Sequence, residues 1–154
     1  MEGHDIKHII YVKHNKNGKF YVFEVPDGLT RLLTRDMKVR LETTMGVQTG
    51  TTTTGVISGT ENAIRDIAKI SGASFPLKKV LSVRINLSDI KITKYFKQKP
   101  PNPEKIKTCY AFYRYHKRLD RDLVVDANKC LVDGYVGYLV AKMFGIRNVY
   151  VTAA

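Results

Sequence analysis

Apolar residues between His8 and Ser58 come in short runs, and Gly, Pro, Asn and Asp break them at the spacing of strands rather than helices. IIYV is followed by NKNG, then KFYVFEV, then PDG. Asn17-Gly18 between two Val-, Ile- and Tyr-rich runs predicts a hairpin, because both residues tolerate the positive φ of a type I′ turn. Pro26-Asp27-Gly28 closes the second run with turn chemistry. Further strands are expected in MKVRLET and in the threonine run TGTTTTGVIS, Thr49 to Ser58. There β-branched Thr favours extended backbone, and Gly50 and Gly55 mark bends or bulges.

After these strands the period changes. ENAIRDIAKISGA, Glu61 to Ala73, puts Ile64, Ile67 and Ala68 on one helical face and Gly72 at its end. A strand is expected from Val80 to Ile85 and a short extended piece from Ile90 to Thr93. KQKPPNP, Lys97 to Pro103, reads as a stiff polar loop that is not helical before its last proline. Asn102 suits an N-cap and Pro103 a first helical position, so a helix should run from Pro103 to Lys117. Ile106, Cys109, Tyr110 and Tyr113 give it a core face, and Lys107, Ala111, Arg114 and Arg118 line the opposite side. DLVVDANKCLVDG predicts two strands about an Asp126-Ala127-Asn128 turn. A last helix from Gly134 to Phe144 would turn Val136, Leu139, Val140 and Met143 inward, capped by Asp133 and stopped by Gly145.

The pattern gives an α+β fold: a small antiparallel β-barrel or sheet over residues 1–60, a connecting helix and linker over 61–75, and an α+β domain over 76–154. Charge then narrows the function. Lys and Arg total 26 against 14 acids among 154 residues, a formal net charge of +12, which points to a polyanionic partner or to a lysine-rich surface kept for solubility. Between Lys91 and Arg121 cations alternate with Tyr95, Phe96 and Tyr115, and only Glu104 and Asp120 oppose them. Such cations release counterions from a phosphate backbone and exposed rings stack on unpaired bases; alternatively the rings are core and the lysines a solvated face. No apolar run approaches the roughly 20 residues a membrane span needs, so no membrane partner is expected. The two cysteines, Cys109 and Cys130, lack metal-ligand spacing and no signal sequence precedes them, which makes a reducing, cytoplasmic setting the default expectation.

Catalytic chemistry is not visible. His4 and His8 are four apart but read as a segment entering a strand with no third ligand, so no metal site is expected. Asp120, Asp122, Asp126 and Asp133 would be dispersed by strand alternation, each with a local turn or cap role. Neither a P-loop, nor a dinucleotide fingerprint, nor a Ser-His-Asp arrangement can be read, and no cofactor is implied.

LSVRINLSDIKIT, the proline loop with EKI, and DLVVDANKCLVDGYVGYLVAKMFGIRNVYV together resemble the ParB/sulfiredoxin fold, in particular the ParB-like N-terminal domain. The resemblance covers about Val80 to Val151 and implies a helix and a strand pair leading to a glycine corner, followed by a helix and a last strand. In that family the corner carries an arginine-rich phosphate motif or, in sulfiredoxins, a cysteine; here Tyr135, Val136, Gly137, Tyr138 and Leu139 follow Gly134, so the arginines and the cysteine are missing. FYVFEVPDGL, DMKVRLE and TGTTTTGVIS are similar to the small β-barrel at the start of the primosomal helicase and in PSP1-type proteins, which implies a nucleic-acid-binding barrel.

The expectation is therefore a non-enzymatic nucleic-acid-binding protein, DNA ahead of RNA, with Lys97, Lys99, Lys107, Arg114, Lys117, Arg118 and Arg121 as backbone contacts and no catalytic residue. A second reading is a ParB-type nucleotide-binding or nucleotide-hydrolysing domain that uses Asp133, Gly134 and Tyr135 as an anion corner. The dipole of the following helix favours an anion there, whereas an Asp133 cap would compete with it. A third is a phage or mobile-element protein that binds and inhibits a host nucleic-acid-handling complex. An exposed edge of the first sheet could also pair two copies.

Overall fold

A computed structural model describes residues 5–15, 18–70, 72 and 78–154. The chain is α+β and divides into two units, Met1–Val83 and Arg84–Ala154. The expected connector helix falls inside the first unit, and the division lies beyond it, within a strand.

In the first unit β1 (Ile6–Lys13) pairs with β2 (Phe20–Glu24) in an antiparallel hairpin from Ile9↔Glu24 to Lys13↔Phe20. The connection is therefore six residues, His14 to Lys19, rather than a two-residue turn; Asn17 of the expected turn lies outside the described residues. β3 (Lys38–Thr43) and β4 (Gly46–Thr52) form a second hairpin with Thr43 opposite Gly46. Gly46 takes φ +97°, a conformation that a side chain would strain. β4 also meets β1, and β3 pairs with the first half of β6 (Val80–Asn86). A parallel bridge between Glu24 and Lys79 joins the end of β2 to the start of β6, so the strands close on themselves at one point.

The threonine run is two strands, not one. After Thr52 the chain leaves the ladder and re-enters as β5 (Ile57–Thr60), which pairs with the other end of β1. Hydroxyls bridge the gap: Thr53 Oγ1 donates to the Tyr11 carbonyl at 3.2 Å, and Thr54 Oγ1 accepts from the Tyr11 amide at 3.4 Å. They supplement the Thr53 amide, which donates to the same Tyr11 carbonyl at 2.9 Å. Gly55 lies in the gap, as expected of a bend, but Gly50 sits inside β4 for a different reason. A Cβ on Gly50 would stand 2.5 Å from Val12 Cγ1 and 3.0 Å from the Lys13 carbonyl, so close approach of β1 demands glycine there.

β1 is apolar on both faces because both are covered. Ile10 and Val12 point one way, and Ile9 and Tyr11 the other. Ile9 packs with Val22 and with Ile64 of α1 (Glu61–Ile70), flanked by Tyr11, Ile57 and Ile67. Ser71 and Ala73 of the expected helical stretch lie outside the described residues, and α1 packs on β1 within the first unit.

The second unit contains α2 (Lys94–Gln98), α3 (Pro103–His116), β7 (Leu123–Val125), β8 (Leu131–Asp133), α4 (Tyr135–Met143) and β9 (Asn148–Ala153). β7 pairs antiparallel with β8 and parallel with β9, about the expected turn, where Asp126 Oδ1 accepts from the amides of Asn128 and Cys130 at 2.9 Å each. The extended piece at Ile90–Thr93 is a single bridge, Lys91 to Cys130. Lys97 and Gln98 are helical, contrary to the reading of a loop from Lys97 onward. Proline restrains only the residue before it, and Lys99, which precedes Pro100, is the residue with φ −123° and ψ 83°.

Candidate functional site

α3 begins where its sequence says. Asn102 Oδ1 accepts from the Glu104 amide at 2.8 Å, Pro103 opens the first turn, and Lys117 ends the helix with φ 60°. Of the expected core face only Cys109 is fully buried; Ile106 and Tyr113 are half-buried, and Tyr110 lies partly exposed against Phe144 with ring centroids 4.6 Å apart. Phe144 is held from a second side by Tyr113 at 4.5 Å, so a ring from beyond α4 pins α3 through two tyrosines.

The predicted cations lie on several elements of the second unit. Lys107 and Arg114 stand seven residues apart on the outer face of α3, both exposed. Lys117 and Arg118 lie beyond its end, with the Arg118 guanidinium 5.2 Å from the Phe112 ring centroid. Lys97 is exposed on α2. Lys99 and Arg121 instead line a cleft of about 730 Å³, together with Asp133, Gly134 and Tyr135 of the expected corner. The cleft lies between α2, the first turns of α3 and the start of α4, with the Phe96 and Tyr135 rings packed at a 33° tilt in its wall, centroids 5.1 Å apart.

Lys105 also lines this cleft and was not among the expected contacts. Two residues from Lys107, it falls off that stripe, and helix arithmetic places it beside Thr108 and Cys109. The cleft is balanced in charge: Lys99, Lys105 and Arg121 face Glu104, Asp120 and Asp133.

The corner packs closely on β7. Gly134, with φ +97°, is itself the N-cap of α4, and Asp133 Oδ1 accepts only from the Gly134 amide, at 2.9 Å. Among the described residues no side chain caps α4: the left-handed Gly134 takes the N-cap position expected of Asp133. A Cβ on Gly134 would stand 2.9 Å from Leu123 Cδ2, and one on Gly137 would stand 3.0 Å from the same atom. That contact also turns the helix: Gly137, Val140 and Ala141 are its buried residues, and Met143, expected inward, is exposed. Where the resemblance would place arginines, the chain has Val136, Gly137 and Leu139, and Gly137 serves the contact with β7.

Burial raises the Cys109 thiol above its ordinary value; Asp120 adds to the rise and Arg121 opposes it. A neutral, buried thiol is a small hydrophobe rather than a nucleophile. Among the described residues no group of three or more metal-ligating side chains converges; His4 lies outside them. In the first unit, one arrangement that the sequence did not reveal joins residues far apart in the chain: His8 Nδ1 lies 2.6 Å from Ser58 Oγ and its Nε2 3.5 Å from Asp27. Asp27 is 93% exposed, so water competes for it, and the geometry is that of a strap from β1 to β5 and the Pro26–Leu29 turn.

No protein-family model matches the chain, and no curated protein matches it. Among solved structures it is similar to a Pnob8-like ParB-N domain, at 21% identity and a TM-score of 0.42, over 47% of this chain and 28% of that one.

Proposed function

We propose that the segment Lys94 to Arg121 binds nucleic acid through the phosphate backbone and catalyses no reaction on it. The observation that carries this reading is exposure: Lys94, Lys97, Lys99, Lys105, Lys107, Arg114, Lys117, Arg118 and Arg121 all lie at the surface. Glu104 lies 3.8 Å from Lys107, and across the segment these nine cations stand against two acids, Glu104 and Asp120. Cations in such excess over carboxylates release counterions from a polyanion, whereas a surface serving solubility alone gains nothing from concentrating one sign in one segment. DNA is the first partner to test. Arg114→Glu combined with Arg118→Glu should weaken binding to labelled DNA and flatten its salt dependence, with the circular dichroism spectrum unchanged; undiminished binding would refute the assignment.

A second reading, a nucleotide at Gly134, is favoured by the cleft that reaches the corner and by the lack of a side-chain cap on α4. The three carboxylates in the same cleft and the absence of arginine in the first turn count against it. Protection of the chain from thermal unfolding by CTP or ATP would favour this reading over the first.

A further inference from the structure

We infer that the nucleic acid this surface takes is single-stranded, held by stacking of unpaired bases on Tyr95 and Tyr115; the inference rests on the nucleic-acid reading above and names the form of its ligand. Both rings are more exposed than packing requires, Tyr95 at 60% and Tyr115 at 83%. Exposed rings offer π-faces on which unpaired bases can stack. Each sits beside cationic or heteroaromatic groups. The Lys99 ammonium lies 4.8 Å from the Tyr95 centroid, and Tyr115 meets the His116 ring edge-on at 4.9 Å.

The helix joins the two rings in one track. Tyr95 lines the cleft whose margin on α3 is Thr108. Thr108, Ala111 and Tyr115 stand at i, i+3 and i+7 and are all exposed, so an open line runs from the cleft along α3 to Tyr115. Lys107 and Arg114 flank it, each one residue before Thr108 and Tyr115. From Lys105 to Tyr115 the helix rises about 15 Å, room for a few nucleotides. A cation row beside a row ending in exposed rings is the combination that single strands use, phosphates on one side and base faces on the other. Duplex DNA would meet the cations but hides its base faces in the stack.

The test is anisotropy of a labelled poly-deoxythymidine oligonucleotide and of a duplex of equal length, titrated at fixed salt with the intact chain and with Tyr95→Ala, Tyr115→Ala and Tyr115→Phe. The single strand should bind more tightly than the duplex. Each alanine variant should weaken the single strand roughly tenfold and leave duplex binding and the salt slope unchanged, while Tyr115→Phe, which keeps the ring, binds like wild type. Equal binding of both forms, or alanine variants that bind the single strand like wild type, would overturn the inference while leaving backbone binding in place. Binding of neither form at low salt would overturn both.

Discussion

The cleft side and the outer side of α3 are a turn of one helix apart and differ in charge balance. On the cleft side Lys99, Lys105 and Arg121 stand with Asp120, Asp133 and Glu104; on the outer side and beyond the helix end stand the four cations Lys107, Arg114, Lys117 and Arg118, with the same Glu104 3.8 Å from Lys107. The difference separates two kinds of anion recognition. A balanced, walled cleft can orient a small polar molecule, but its field attracts no polyanion; an unbalanced convex row attracts one without orienting it. The outer row is therefore the part of the proposed surface that attracts a polyanion, and the cleft with Tyr95 and Lys99 lies at its end.

The largest expected effect breaks the comparison at the joint. Gly134→Ala places a Cβ in a left-handed conformation and against Leu123, and should cost about 3 kcal/mol of stability in urea unfolding. Gly137→Ala meets only movable side-chain ends, Leu123 Cδ2 and Leu119 Cδ1, gains helix propensity, and should change stability by less than about 1 kcal/mol. If Gly134→Ala instead left stability intact and abolished a ligand, the corner would be a site and not a fastening.

Charge reversal comes next. Arg114→Glu with Arg118→Glu should cost about 2 kcal/mol of nucleic-acid affinity, and Lys105→Glu with Arg121→Glu about half as much, because cleft carboxylates already cancel those cations. A larger loss from the cleft pair would reverse the assignment of the two sides.

A smaller effect reads the cleft through Cys109. Its thiol is raised above the ordinary 9.0, so the folded chain keeps a proton that the unfolded chain releases. Stability is unaffected below that value and falls as pH rises above it. Asp120→Asn removes one cause of the rise and should lessen the fall, measured as thermal midpoints from about pH 8 to 10. The smallest effect lies away from both sides of α3. Ser82 is fully buried, and its hydroxyl has no partner among the described residues, so Ser82→Ala should be neutral or stabilise by up to about 1 kcal/mol.

Features set by a residue's own neighbours were legible in the sequence. Asn102-Pro103 announced α3, and Asp126 announced the β7–β8 turn, because caps and turns are decided within a few residues. The α+β class followed from the change of period. What escaped reading depends on contacts between distant segments. Gly137 reads as a weak helix residue until Leu123 lies against it, and that contact rotates Met143 outward. Gly50 reads as a bend until Val12 approaches it. The threonine run reads as one strand until β1 has to be shared between β4 and β5. For the site, charge and segment were legible, but the division of cations between cleft and outer face was not, since Lys99 and Arg121 reach the cleft only through the placing of α2 and the α3–β7 connection.

The most direct measurement is the affinity of the wild-type chain for a labelled oligonucleotide as a function of salt. If the outer row grips a phosphate backbone, log K falls linearly with log salt, with a slope corresponding to several released counterions. Absence of binding at low salt, or binding indifferent to salt, would contradict that role.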